Sequence, residues 1–220
     1  MVNWSLIWTE IPNLARGAGW TLFITFFSLM FGVAIGLCLA MLRLSRRWWL
    51  RLPASVYVEA VRGTPMLVQI LLIWFGVFPM LGLNRAEAYY AGIAALALNS
   101  GAYLCEIFRG GIQSIDKGQR EAALSLGMTE TQVMAHVILP QALANALPAI
   151  GNEFVTLIKD SSLVSSIAVA ELTYRAMLVA ARRYEYFTMY IGIAIMYFAM
   201  TFATSRILAR LEARLRKGSK

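Results

Sequence analysis

Residues 18–42 read AGWTLFITFFSLMFGVAIGLCLAML, twenty-five consecutive positions without a charged side chain. A helix that crosses a hydrocarbon core about 30 Å thick needs roughly 20 apolar residues, so this stretch is long enough to span a bilayer. It exceeds the apolar core of a secretory signal, about 7–15 residues, and the basic residue ahead of it is the single Arg16, so the run is expected to remain in the mature chain. Outward from it, apolar runs near residues 54–81, 88–108, 138–158 and 187–205 reach similar lengths. With 59% hydrophobic and 15% charged residues in 220, the chain is too apolar for a soluble domain of this size. The expected fold class is an all-α integral membrane protein with about five transmembrane helices.

The net charge of +8 would raise nucleic acid as a partner for a soluble chain, but here the cations cluster at span ends and no nucleic-acid partner is expected. Arg43, Arg46, Arg47 and Arg51 follow the first run; Arg109, Lys117 and Arg120 follow the third; Arg206, Arg210, Arg214, Arg216, Lys217 and Lys220 follow the last. Placing these alternate connections in the cytoplasm satisfies the positive-inside tendency and leaves Arg16, Arg85, Arg175, Arg182 and Arg183 on the other face. The N-terminus is then outside and the C-terminus cytoplasmic. Residues 161–181 are apolar enough to suggest a sixth span, but Glu171 and Arg175 lie in their middle, and a sixth crossing would export the basic tail. That segment is expected to lie along the outer face or dip partly in, with Glu171 and Arg175 paired at i,i+4.

Trp4, Ile7, Trp8 and Ile11 share a helical face and read as an interfacial anchor. Gly32 and Gly36 have the G-x-x-x-G spacing that allows close helix contact. In RLSRRWWLRLP (43–53), arginines can hold headgroup phosphates while Trp48 and Trp49 sit at the interface, so membrane lipid is an expected partner. Pro65 removes a backbone donor within Arg62-Gly63-Thr64-Pro65, which predicts an irregular second span facing the protein interior or a water-filled cavity. Asn99, Tyr103 and Glu106 form a polar stripe on the third span, with Arg109 placed to pair with Glu106 at i,i+3. The fourth span carries Asn145, Asn152, Glu153, Thr156 and Asp160 on adjoining turns, interrupted by Pro148 and Gly151, with Lys159 beside Asp160.

Cys38 and Cys105 fall in separate spans and read as packing residues, and the lone His136 has no partner at metal-binding spacing, so no metal site is expected. There is no G-x-x-x-x-G-K-[ST] loop, and Glu106, Glu153, Lys159 and Asp160 include no nucleophile-base arrangement, so the chain does not read as an enzyme. Any ATP must be bound by another chain.

Residues 110–142, GGIQSIDKGQREAALSLGMTETQVMAHVILPQA, read as two short helices. Asp116 caps the first, Gly127 closes it with a left-handed turn, and Thr129 with Gln132 has capping-box spacing for the second. Ala122, Ala123 and Leu126 form a small apolar face of the kind that a partner's groove admits.

At this loop the chain resembles the membrane-spanning subunits of bacterial ATP-binding-cassette importers, in the polar amino acid uptake branch. The carrying residues are Glu121-Ala122-Ala123, Gly127 and Val137-Ile138-Leu139-Pro140, where Val137 replaces the family's usual Ile. Arg62 to Pro65, Asn99 to Glu106, Ile112 to Gln119 and Gly151 to Leu163 extend the likeness over about residues 15–210. The resemblance implies a type I importer permease fold in the bacterial inner membrane. It also implies a second permease subunit (the same chain or a paralogue), a pair of ATPase subunits that bind ATP and Mg, and an extracytoplasmic amino acid binding protein. This chain itself would need no cofactor. It would be a single permease domain, 1–220: an interfacial segment at 1–17, a core at about 18–210, a cytoplasmic coupling loop at 110–137 and a basic tail at 206–220. Glu121, Ala122, Ala123 and Gly127, within the helix at 119–128, would couple to the ATPase. An intramembrane amino acid site would be lined by Glu153, with Asn99, Thr64, Gln69 and Tyr103 as further candidates. A carboxylate there disfavours acidic substrates and favours polar or basic ones. The alternatives are an ion-coupled secondary transporter, against which stand an odd span count and no visible repeat, and a permease for acidic amino acids.

Overall fold

Helix α1 (Trp4–Leu44) runs unbroken for 41 residues, capped by Asn3, whose side chain accepts from the Leu6 N–H. The computed structural model describes residues 2–83 and 87–218; Arg85 and Lys220 lie outside these residues, as do the side chains of Arg214, Arg216 and Lys217. The described part of the segment expected to be interfacial, 1–17, runs without a break into the apolar stretch of α1. Pro12 costs one backbone hydrogen bond near the helix start and does not end it. Trp4, Trp8 and Ile11 are exposed as expected, while Ile7 turns inward against Gly192.

The second expected span is two helices. Helix α2 (Trp48–Arg62) ends at Gly63, and a chain bent by 110° resumes as α3 (Met66–Leu72), a π-helical turn (Ile73–Val77) and α4 (Phe78–Met80). Helix α5 (Ala88–Gln113) lies along α1 as its principal partner. The small-residue spacing does pack here: a Cβ on Gly36 would sit 2.7 Å from Leu104 Cβ and 3.0 Å from the Gly101 carbonyl oxygen. One on Gly101 would meet Ile35 Cγ2 at 2.6 Å. The two backbones approach because neither residue has a side chain to hold them apart.

Helices α6 (Lys117–Ser125) and α7 (Glu130–Val133) form the loop predicted as two short helices. A π-helical turn (Met134–Ile138) leads into α8 (Leu139–Asp160), followed by a 3₁₀ segment (Ser161–Ile167), α9 (Leu172–Arg183) and α10 (Tyr186–Gly218). Among the described residues, four helical stretches are long and apolar enough to cross a membrane, and the bent pair makes a fifth. No sixth span arises from 161–181.

The expected Glu171–Arg175 ion pair does not form. Glu171 is fully buried as the N-cap of α9, accepting from the N–H groups of Thr173 (2.9 Å) and Tyr174 (2.8 Å) and from the Tyr197 hydroxyl of α10 (2.8 Å). The Thr21 hydroxyl of α1 approaches at 3.4 Å. Arg175 instead donates to the Ala170 carbonyl and to Asn13 Oδ1, each at 2.9 Å. A carboxylate at a helix start gains more from orphaned N–H groups than from a partner one turn along a solvated face.

Candidate functional site

The break between α2 and α3 exists because Pro65 supplies no N–H and holds Thr64 out of helical geometry. Freed carbonyls at such a break must find donors. Gln69 provides them: its Nε2 donates to the Val61 carbonyl (2.7 Å) and contacts the Thr64 carbonyl (3.1 Å) and hydroxyl (2.9 Å). Its Oε1 accepts from Asn99 Nδ2 of α5 at 3.0 Å. Three of the five candidate site residues, Thr64, Gln69 and Asn99, therefore form one network that pins the broken helix to α5. Tyr103, one turn beyond Asn99, lies under the Arg62 guanidinium, 5.2 Å from ring centroid to cation.

Glu153 stands apart from that network. It is half-buried on α8 and makes no hydrogen bond to the other four among the described residues; its neighbour across the contact with α5 is Ser100. The Ser100 hydroxyl is fully buried, faces the Glu153 carboxylate and has no other hydrogen-bond partner among the described residues. Sequence reading missed Ser100, although its place beside Asn99 in Asn99-Ser100-Gly101 was the available signal. Along α8, Asn145, Asn152, Thr156 and Lys159 are exposed and Asp160 is half-buried. Asn145 is anchored by donating to the Ser114 hydroxyl at 3.0 Å. Glu106 pairs with Arg109 as expected (2.6 Å) and also with Arg43 of α1.

In the 110–142 loop every predicted cap is present. The Asp116 carboxylate accepts from Gly118 N–H, Thr129 and Gln132 make the reciprocal capping box, and Gly127 adopts φ +83°. The Gly127 and Met128 N–H groups donate back to Leu124 and Ala123 carbonyls, the bonding that a left-handed residue closes. Arg120 pairs with Glu130, joining α6 to α7. The apolar face differs from expectation: Ala123 is buried on Val133 and Ile138 within the loop itself, leaving Glu121, Ala122 and Leu126 (84% exposed) to face outward. Ala123 thus serves the loop's own core, because α7 folds back over that side of α6.

The chain that folds into this bent core and capped helix pair matches a family model, the inner membrane component of binding-protein-dependent transport systems, over residues 32–217. The chain belongs to this family. It is therefore a multi-pass inner-membrane transport subunit, and not an enzyme, since ATP hydrolysis in such systems belongs to a separate subunit. The family also sets aside the ion-coupled alternative. The glutamine transport system permease protein GlnP of Escherichia coli (strain K12) is 39% identical over 97% of this chain and 98% of its own. A probable amino-acid ABC transporter permease protein of Bacillus subtilis (strain 168), YckA, is 41% identical over 90% and 87%. In a crystal structure of an amino acid ABC transporter with histidines, a chain 44% identical superposes with a TM-score of 0.90 over 97% of this chain and 99% of that one. The type I importer permease fold expected from the sequence is thus the fold observed.

Proposed function

We propose that this family member is the permease of an ATP-driven importer of polar or basic amino acids, with its N-terminus outside and its C-terminus in the cytoplasm. Substrate arrives from an extracytoplasmic binding protein, and a partner ATPase acts on the outward face of α6, at Glu121 and Ala122, with Gly127 closing the helix. The names of the relatives, which include glutamine and other amino acid permeases, support the substrate class. The observation that carries the finer reading is Glu153, a half-buried carboxylate in a span without a hydrogen-bond partner in the Thr64–Gln69–Asn99 network. Intramembrane carboxylates are costly, about 2.5–3.5 kcal/mol at mid-membrane, and one whose neighbour is the uncharged Ser100 hydroxyl, with no cation paired to it among the described residues, is suited to receive a cation in transit. The substrate ammonium, or a basic side chain, is that cation. Asn99, Thr64 and Gln69 shape the opposite wall, and Tyr103 borders it.

The exposed polar line Asn145, Asn152, Thr156 and Lys159 cannot face hydrocarbon, so a second permease subunit is the surface that covers it across the pathway. The test is uptake by the complex reconstituted with its ATPase and binding protein. Glu153→Gln is expected to reduce transport of glutamine, arginine or histidine at least tenfold while leaving the ATPase associated. Unchanged transport of all three would overturn the assignment, and a gain of glutamate or aspartate transport by the wild-type complex would favour the acidic alternative.

A further inference from the structure

Between the first turns of α1 and the end of α9 lies a cavity of about 220 Å³ lined by Glu10, Asn13, Val179, Arg182 and Arg183. None of these residues belongs to the pathway or the coupling loop. One wall is fixed in place: Arg175 donates to Asn13 Oδ1 at 2.9 Å, and Asn13 Nδ2 donates to Glu10 Oε2 at 3.2 Å. Glu10 Oε1 accepts no hydrogen bond among the described residues. On the other wall, Arg182 and Arg183 occupy the last turn of α9, both exposed, with no ion pair or side-chain hydrogen bond among the described residues. Cations in a last turn suit the helix dipole, but each guanidinium still has donors to spare. Val179, nearly buried, makes the floor apolar.

The depth of the cavity narrows what fills it. Along α1, Trp8 (72% exposed) and Trp20 (38% exposed) bracket Glu10 and Asn13, which at 1.5 Å per residue lie about 3 Å and about 7.5 Å beyond Trp8. Exposed Tyr184, Tyr186 and Phe187 follow directly after Arg183. Such aromatic rings mark the level of lipid headgroups. We propose that this cavity binds a phospholipid headgroup bearing both a phosphate and a primary ammonium, from the leaflet at the N-terminal end of α1. Arg182 and Arg183 hold the phosphate, and the ammonium donates to Glu10 Oε1, a bond that a quaternary choline cannot make. The glycerol backbone lies on Val179. A protein loop is the less fitting occupant because the cavity sits at the level of the aromatic belt.

The test uses the full chain, purified with the subunits that accompany it and placed in nanodiscs containing equal amounts of phosphatidylethanolamine and phosphatidylcholine, with co-retained lipid counted by native mass spectrometry. Phosphatidylethanolamine is expected to be retained about fivefold over phosphatidylcholine, the factor that one ion pair of about 1 kcal/mol supplies. Glu10→Gln is expected to abolish that preference while leaving total retention intact, and the double variant Arg182→Gln/Arg183→Gln to lower retention of both lipids to the bulk level. If the double variant melts earlier than wild type, the Lys/Lys pair at the same positions must restore retention. Equal retention of the two lipids by the wild-type complex overturns the proposal, and that arm needs no variant. So does unchanged retention in the double variant, or displacement of the lipid by soluble O-phosphoethanolamine, which would make the site one for a free metabolite.

Discussion

Glu171 ties three helices together, and replacing it separates that role from the ion pair that its spacing with Arg175 suggests. In Glu171→Ala, α9 loses its cap, worth about 1 kcal/mol. The Tyr197 hydroxyl loses its acceptor in a buried setting, at about 1–3 kcal/mol, and the more distant Thr21 hydroxyl adds a smaller loss. The expected total is about 3–5 kcal/mol. For a chain of this length each kcal/mol moves the melting temperature by about 2–4 °C, so Glu171→Ala is expected to melt roughly 10 °C below wild type in detergent. Arg175→Gln loses two hydrogen bonds, one exposed and one half-buried, worth about 1 kcal/mol together, and is expected to shift by about 2–4 °C. Glu171→Gln keeps a carbonyl oxygen for the cap and falls between them. Equal shifts for Glu171→Ala and Arg175→Gln would restore the simple pair and refute the three-helix node.

Substitutions at Gly36 and Gln69, each with a control, examine the packing of α1 on α5 and of the α2–α3 break. Gly36→Ala places a methyl 2.7 Å from Leu104 Cβ and should cost about 1–3 kcal/mol, whereas Gly19→Ala meets nothing within 4 Å and should be neutral or stabilising; differential melting of the two checks this. Gln69→Leu leaves the carbonyls of the α2–α3 break and Asn99 without their partner, and is expected to cost about 2–4 kcal/mol in the same assay, with Gln69→Glu milder because it still accepts from Asn99.

The spans were legible because hydropathy at roughly 20-residue length is a one-dimensional signal, and the 110–142 loop was legible because caps are local chemistry between residues two to five apart. The break at Gly63–Pro65 was visible for the same local reason, although its 110° bend was not, since an angle depends on what each half packs against. Glu171 was misjudged because it reads as a helix-interior residue paired with Arg175, whereas α9 begins at it and its carboxylate caps the Thr173 and Tyr174 N–H groups two and three residues on; its other partners lie 150 residues away in Thr21 and 26 away in Tyr197. Ala123 was misread because an apolar residue on a short helix looks alike whether a partner or the loop's own α7 covers it. Ser100 escaped notice because a serine among alanines and glycines reads as a small packing residue, and only the fold places it beside Glu153.

The two π-helical turns share a cause that bears on how force would pass into the membrane. Each ends two residues before a proline, Ile73–Val77 before Pro79 and Met134–Ile138 before Pro140. A proline ring collides with the carbonyl four residues back and offers no N–H to it, so the ladder before it widens; Phe78 donates to Ile73 and Leu139 to Met134, five residues back in both cases. The second turn joins the core of the α6–α7 loop, through Ile138, to α8 and its polar wall. Pro140→Ala returns a donor to the His136 carbonyl and lets the turn relax to α geometry. Closing the widened turn from i,i+5 to i,i+4 bonding absorbs its extra residue into the α-helix and would rotate α6 and α7 about 100° relative to α8. On the proposed function, the melting temperature should hold or rise while uptake per ATP hydrolysed falls at least tenfold. Pro79→Ala, which relaxes the other turn away from α6 and α7, should leave that ratio near wild type. If Pro140→Ala transports with the wild-type ratio, the π turn is only an accommodation of proline and the orientation of α6 against α8 does not govern coupling.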